Sequence, residues 1–170
     1  DVTFAQGTWF NSSNSTIDQA WNIDTLTLTG VFSSRSVSGS TLTIQTGVTH
    51  GGWISGGTFD NDVALPNQTT WNAGSGTVIT VNGTISGTGG VTKTGAGSLT
   101  LSSGNSYTGA TNLAAGTLIF GGGDVLNDNA ALNLSGGTLE TRGNSDVIGS
   151  LALGGNRSEE RRVGKECATG

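Results

Sequence analysis

One short motif returns about every 20 residues along this chain, and it constrains the fold more than any other feature. It consists of a small residue, then Thr or Ser, an aliphatic residue, a variable one and another apolar one. It reads Ser40-Thr41-Leu42-Thr43-Ile44, Gly76-Thr77-Val78-Ile79-Thr80, Gly97-Ser98-Leu99-Thr100-Leu101, Gly116-Thr117-Leu118-Ile119-Phe120 and Gly137-Thr138-Leu139-Glu140-Thr141. From Val78 the first aliphatic recurs at Leu99, Leu118 and Leu139, steps of 21, 19 and 21. Upstream, Leu26, Leu42 and Phe59 extend the series at steps of 16 and 17. A closed sandwich has no reason to repeat one signature at a fixed interval. A coil that stacks on copies of itself must offer a matching aliphatic on every turn to fill a continuous core.

Within each unit apolar residues alternate with Thr, Ser or Asn, as at Leu26/Leu28, Leu42/Ile44, Leu99/Leu101, Leu132/Leu134 and Leu151/Leu153. Alternation at period two means strands with one buried face. Gly pairs and triples such as Gly51-Gly52, Gly56-Gly57, Gly89-Gly90, Gly121-Gly122-Gly123 and Gly136-Gly137 punctuate them and permit tight turns. No stretch carries a helical apolar period over the ~10 residues a helix needs. The chain therefore reads as all-β, a parallel β-helix (β-solenoid) with about 20 residues per coil, each coil holding about three short strands. Six to eight coils at ~4.8 Å would make a rod roughly 30 to 40 Å long.

Composition narrows the function classes. Gly, Thr, Ser and Asn supply 89 of the 170 residues, while Leu, Ile, Val and Phe number 38, enough for a modest core. The formal charge of −5 argues against nucleic acid and anionic membranes as partners, since both reward clustered Lys and Arg. No segment approaches the ~18 apolar residues of a spanning helix, so no membrane insertion by this segment is expected. A single Cys excludes an internal disulfide. The first residue is Asp1, and the start reads as internal or processed.

Residues 157–170 break every trend. Arg157-Ser158-Glu159-Glu160-Arg161-Arg162-Val163-Gly164-Lys165-Glu166-Cys167 holds seven of the 19 charged residues and the Cys, and it resembles the frame translation of a common short-read sequencing adapter. The expected organisation is a β-helix fragment at 1–156 and a non-native or disordered tail at 157–170. Cys167 then carries no redox meaning.

Gly83-Thr84-Ile85-Ser86-Gly87-Thr88-Gly89-Gly90-Val91-Thr92-Lys93-Thr94-Gly95-Ala96-Gly97-Ser98-Leu99-Thr100-Leu101, followed by Asn105-Ser106-Tyr107-Thr108-Gly109-Ala110-Thr111-Asn112-Leu113-Ala114-Ala115-Gly116-Thr117-Leu118, resembles the autotransporter-associated β-strand repeat of bacterial type V secreted proteins. The likeness is specific over Gly83 to Leu118. Gln68-Thr69-Thr70-Trp71-Asn72 resembles the segment that often precedes the repeat, and Gly136 to Leu153 a degenerate later unit. Ala110 with Asn112-Leu113 departs from the commoner Gly and β-branched run. The resemblance implies a right-handed β-helix, export to the cell surface or medium, and a scaffold role; it does not imply a catalytic activity. The implied partners are the rest of a larger polypeptide and, externally, surface glycans or host and neighbouring cell surfaces.

Candidate chemistry is sparse. His50, the only histidine, stands beside Gly51-Gly52 and reads as a solvated turn residue; without a second His, a reactive Cys or a Gly-x-Ser-x-Gly elbow, no nucleophile–base device assembles. Asp60 and Asp62 alternate and would face one side, as paired carboxylates of a carbohydrate-active β-helix do, but they lie in a Gly- and Asn-rich loop without basic companions. Gly121-Gly122-Gly123-Asp124-Val125-Leu126-Asn127-Asp128 is similar to a calcium-binding nonapeptide but occurs once and is short by a residue. It reads as a turn capped by Asp, and as a phosphate loop it lacks Lys and a following helix. Trp9, Trp21, Trp53 and Trp71, with Phe4, Phe10, Phe32 and Phe59, crowd the first half. They would either stack on sugar rings or fill the solenoid, and the second reading is preferred. No catalytic, cofactor-binding or metal residues are assigned and no cofactor is expected. The reading is a structural passenger or stalk segment with an adhesive capacity; a carbohydrate-active β-helix is the alternative.

Overall fold

The computed structural model describes residues 2–4, 14–17, 19–28, 35–50 and 56–154. Residues 157–170, Cys167, Trp9, Trp53, Phe10 and Phe32 lie outside them, and the expectation for the tail lies there too. In chain order the strands are β1 (Val2–Phe4), β2 (Asn14–Ile17), β3 (Trp21–Leu28), β4 (Arg35–Gly39), β5 (Leu42–His50) and β6 (Gly57–Phe59). There follow β7 (Val63–Ala64), β8 (Thr69–Ala73), β9 (Val78–Val81), β10 (Ile85–Ser86), β11 (Val91–Thr94) and β12 (Ser98–Leu101). The last are β13 (Thr111–Leu113), β14 (Thr117–Phe120), β15 (Ala131–Leu134), β16 (Thr138–Glu140) and β17 (Ser150–Leu153). No helix occurs among the described residues.

Each coil contributes strands to both of two parallel sheets. One runs β1-β3-β5-β8-β11-β13-β15-β17, with β7 and β10 as a short side branch off β5; the other runs β16-β14-β12-β9-β6-β4-β2. The chain is thus a parallel β-solenoid of about 21 residues per turn. In the first sheet one inward file passes through Leu26, Val48, Trp71, Lys93, Leu113, Leu134 and Leu153. Its steps of 22, 23, 22, 20, 21 and 19 show the coils shortening toward the C-terminal end. In the second, Ile79, Leu99, Leu118 and Leu139 form one file and Phe59, Val81, Leu101 and Phe120 another. Leu99 and Leu118 are wholly buried, whereas Leu139, on the terminal strand, is partly covered.

The register corrects three sequence expectations. Val78 does not belong to the Leu99 file: it lies beside Ser98, and Ile79 takes the interior place. Leu26 and Leu42 are not successive members of one file, because Leu26 pairs with Val48 and Leu42 with Trp21 and Val63. The step of 16 compared different positions along the paired strands β3 and β5, and the step of 17 crossed from the first sheet to β6 in the second. Leu151 and Leu153 are 37% and 43% exposed because β17 has no neighbour on its outer edge among the described residues.

The corner between the sheets carries a column of left-handed glycines, Gly76, Gly95, Gly116 and Gly137, with φ of 73°, 74°, 73° and 78°. At Gly116 an added Cβ would lie 2.3 Å from the carbonyl oxygens of both Gly95 and Gly97. Only Gly allows the chain to turn there with the coils in contact.

Candidate functional site

The residues singled out for chemistry disperse over the solenoid. Asp60 and Asp62 do share an outer side, with Asn61 buried between them. Each carboxylate is engaged by the next coil: the Asn82 side-chain amide donates to Asp60 Oδ1 at 2.8 Å, and the Thr84 N–H to Asp62 Oδ1 at 2.9 Å. Asp124 takes a left-handed φ of 50° in its turn, and its N–H donates to the Ser145 carbonyl. Among the described residues no three of His, Cys, Asp and Glu gather where they could hold an ion.

The aromatic residues divide. Trp71 and Phe59 are fully buried and meet edge to face, with ring centroids 5.8 Å apart and planes at 68°. That contact fills the coil and removes Trp71 from any exposed row. Trp21 is 43% exposed.

His50 overturns its expectation. It is the last residue of β5, paired with Leu28 and Ala73, and only 1% exposed. The alternation that buries Val48 also turns the residue two further on inward, and the adjacent Gly pair masked that parity. Neither ring nitrogen has a hydrogen-bond partner. Burial lowers its pKa below the usual 6.5, an effect the nearby Gly56 and His50 backbone groups oppose.

The most unusual interior group is Lys93, which sequence reasoning counted only as one of few cations. It is 0% exposed, between Trp71 and Leu113 in the inward file. Its ammonium donates to the carbonyl oxygens of Thr94 at 2.6 Å, Gly95 at 2.8 Å and Ala115 at 3.2 Å. Two lie on its own coil and the third on the next, so the side chain staples two turns at the glycine corner. Burial lowers its pKa from 10.5 to about 8. The signal was present, since Lys93 shares strand parity with Val91.

Other buried polar groups are used the same way. Trp71 Nε1 donates to Thr69 Oγ1 at 2.9 Å, and Tyr107 shares a 2.6 Å hydrogen bond with Thr111 Oγ1. Burial raises the Tyr107 pKa and keeps the phenol neutral. Asn105 joins three coils: its Oδ1 accepts from the Ile85 N–H at 2.7 Å, and its amide donates to the Val125 carbonyl at 2.7 Å. On the outer face a polar ladder runs Asn133 to Asn112 to Thr92, with Gln68 also donating to Thr92. A second runs Asn67 to Gln45 to Asn22. Each amide is thereby spent on the next coil rather than held open for a ligand.

The interior and the ladders define a scaffold built to be extended coil by coil, and comparison with known proteins agrees. Residues 91–120 match the family described as the passenger-associated-transport-repeat. The chain is also similar to the adhesin BmaC autotransporter of Brucella suis biovar 1 (strain 1330), 37% identical over 131 residues. That alignment covers 71% of this chain and 3% of the adhesin, so the chain spans a small part of that relative's length. No solved structure matches it significantly. The chain carries an autotransporter passenger repeat, as the motif at 83–118 predicts.

Proposed function

We propose that this segment is a structural stalk of a large, surface-exposed or secreted passenger, that it contributes to adhesion, and that it catalyses no reaction. The observation that carries this reading is where the polar groups go: Lys93, Asn105, Asp60, Asp62 and the Asn and Gln ladders all bond neighbouring coils. A catalytic groove would instead leave acids and bases aimed at a substrate. The rest of its own polypeptide is its first partner. Surface glycans, or the surfaces of host or neighbouring cells, are its external ones. The acidic balance disfavours nucleic acid, and no helix among the described residues is long and apolar enough to cross a membrane.

The test is attachment of beads coated with the chain to cultured cells and to a glycan array, run beside turnover assays on pectin, other polyuronates and β-glycans with and without Ca²⁺. Attachment without turnover is expected. Cleavage abolished by Asp60→Ala or Asp62→Ala would replace this reading with the carbohydrate-active one.

A further inference from the structure

The solenoid core holds one imidazole whose ring nitrogens make no hydrogen bond, and its placement gives the N-terminal coils a property the stalk reading does not supply. The His50 ring reaches from the first sheet across to the second. A Cβ built on Gly57 would lie 3.1 Å from His50 Cδ2, 3.5 Å from Nε2 and 2.9 Å from Leu28 Cδ1. The ring is therefore wedged against the β6 backbone, with Leu28 before it and Ala73 after it in its file.

Among the described side chains of the strands packed around it, none brings a negative charge to that ring. On β3 the one titratable group is Asp24, which accepts from the Thr46 hydroxyl on β5. Neither β6 nor β8 carries a titratable residue, and β5 has none besides His50. Asp60, just past β6, is engaged by Asn82. Lys93, on the strand beyond β8, is itself a cation and donates to three carbonyls.

We propose that His50 is an acid-operated joint: protonation of its ring forces apart the corner where β5, β6 and β8 meet and loosens the N-terminal coils while the coils from β11 onward stay closed. An imidazolium in this position would be buried with neither ring nitrogen hydrogen-bonded, a burial cost that the nearby Gly56 and His50 backbone groups offset only in part. A solenoid coil contacts only its neighbours, so the opening stays local. The sign follows from burial: the ring binds its proton less readily folded than unfolded. Stability is therefore complete above the unfolded value of about 6.5 and falls as the pH drops below it. Each pH unit favours opening by up to about tenfold until the folded ring itself titrates.

The experiment is hydrogen exchange read by mass spectrometry on the full chain at about pH 7.5 and about pH 5, either side of the ordinary imidazole value, corrected for the intrinsic pH dependence of exchange. Protection in peptides from β3, β5 and β6 should fall about tenfold or more at the lower pH, with β11 to β14 unchanged, and His50→Phe should abolish the difference. Loosening spread evenly over the chain, or persisting in a folded His50→Phe protein, overturns the proposal. Because His50 is the chain's single histidine, its titration can also be followed by NMR in the unaltered protein, whatever the fate of the variant. A midpoint below 6.5 supports the joint, and one at or above 6.5 overturns it.

Discussion

Replacing Lys93 by Met tests whether an ammonium inside this core stabilises it or merely survives there. Met keeps the unbranched length and removes only the charge and the donors. Against the lysine stands its burial: a pKa lowered from 10.5 to about 8 corresponds to about 3 kcal/mol against the charged form. In its favour stand three hydrogen bonds of 2.6, 2.8 and 3.2 Å. Hydrogen bonds from a charged donor contribute about 1.5–3 kcal/mol each. The accepting residues Thr94, Gly95 and Ala115 are half-buried, so water could replace part of that and the low end applies. A folded pKa below 10.5 means that the charged form gains nothing net from the core, so what Met loses is the donor to three carbonyls, about 1–2 kcal/mol where water reaches the half-buried acceptors. Lys93→Met should therefore lose about 1–2 kcal/mol in urea unfolding, followed by the fluorescence of Trp71, the neighbour of Lys93 in its file. The pH dependence gives a second reading. Because the folded pKa is lowered, the unfolded chain holds the proton longer, and the parent should gain stability as pH rises from about 8 toward 10.5. The Met variant should lack that gain. A variant as stable as the parent would refute the reasoning, because desolvation would then outweigh the three bonds, as at buried ion pairs that hydrophobic residues replace without loss.

Leu118→Asp places an unpaired carboxylate between Leu99 and Leu139 in a wholly buried site and should cost about 4 kcal/mol or prevent folding; a loss under about 1 kcal/mol in denaturant titration would disprove the file. Gly116→Ala and Gly76→Ala share a φ of 73°, yet the new Cβ meets backbone oxygens at 2.3 Å in the first and nothing within 4 Å in the second. Thermal melts should show only about 1 kcal/mol lost at Gly76, the left-handed cost alone, and clearly more at Gly116. Asp146 accepts from the Leu126 N–H at 2.9 Å through Oδ2 while its buried Oδ1 has no partner, and burial raises its pKa. Asp146→Asn keeps the acceptor, adds a donor as at Asn105, and should stabilise by a few tenths to about 1 kcal/mol at neutral pH. The parent's advantage in acid, present below 3.8 and lost as pH rises through the higher folded value, should vanish in the variant.

Periodicity in the sequence was enough to define the all-β class, the solenoid and its coil length. A stacked coil has to present apolar groups at the same point of every turn, and Leu99, Leu118 and Leu139 do so without reference to anything distant. The passenger-repeat resemblance was legible for the same reason, its glycines and threonines being dictated by corners and strands that recur locally. Where along its strand a residue falls in register was not legible. Leu26 and Leu42 carry the same local pattern on the paired strands β3 and β5, and only the pairing of Leu26 with Val48 and of Leu42 with Trp21 and Val63 puts them in different files. The interior polar groups lay further out of reach. Parity could have turned Lys93 and His50 inward, but residue type argued for solvent. What decided between them was tertiary: three carbonyls brought by two different coils around the Lys93 ammonium, and a glycine backbone on the opposite sheet against the His50 ring. A burial cost is offset only by partners, and one of those of Lys93, Ala115, comes from a full turn away in the chain.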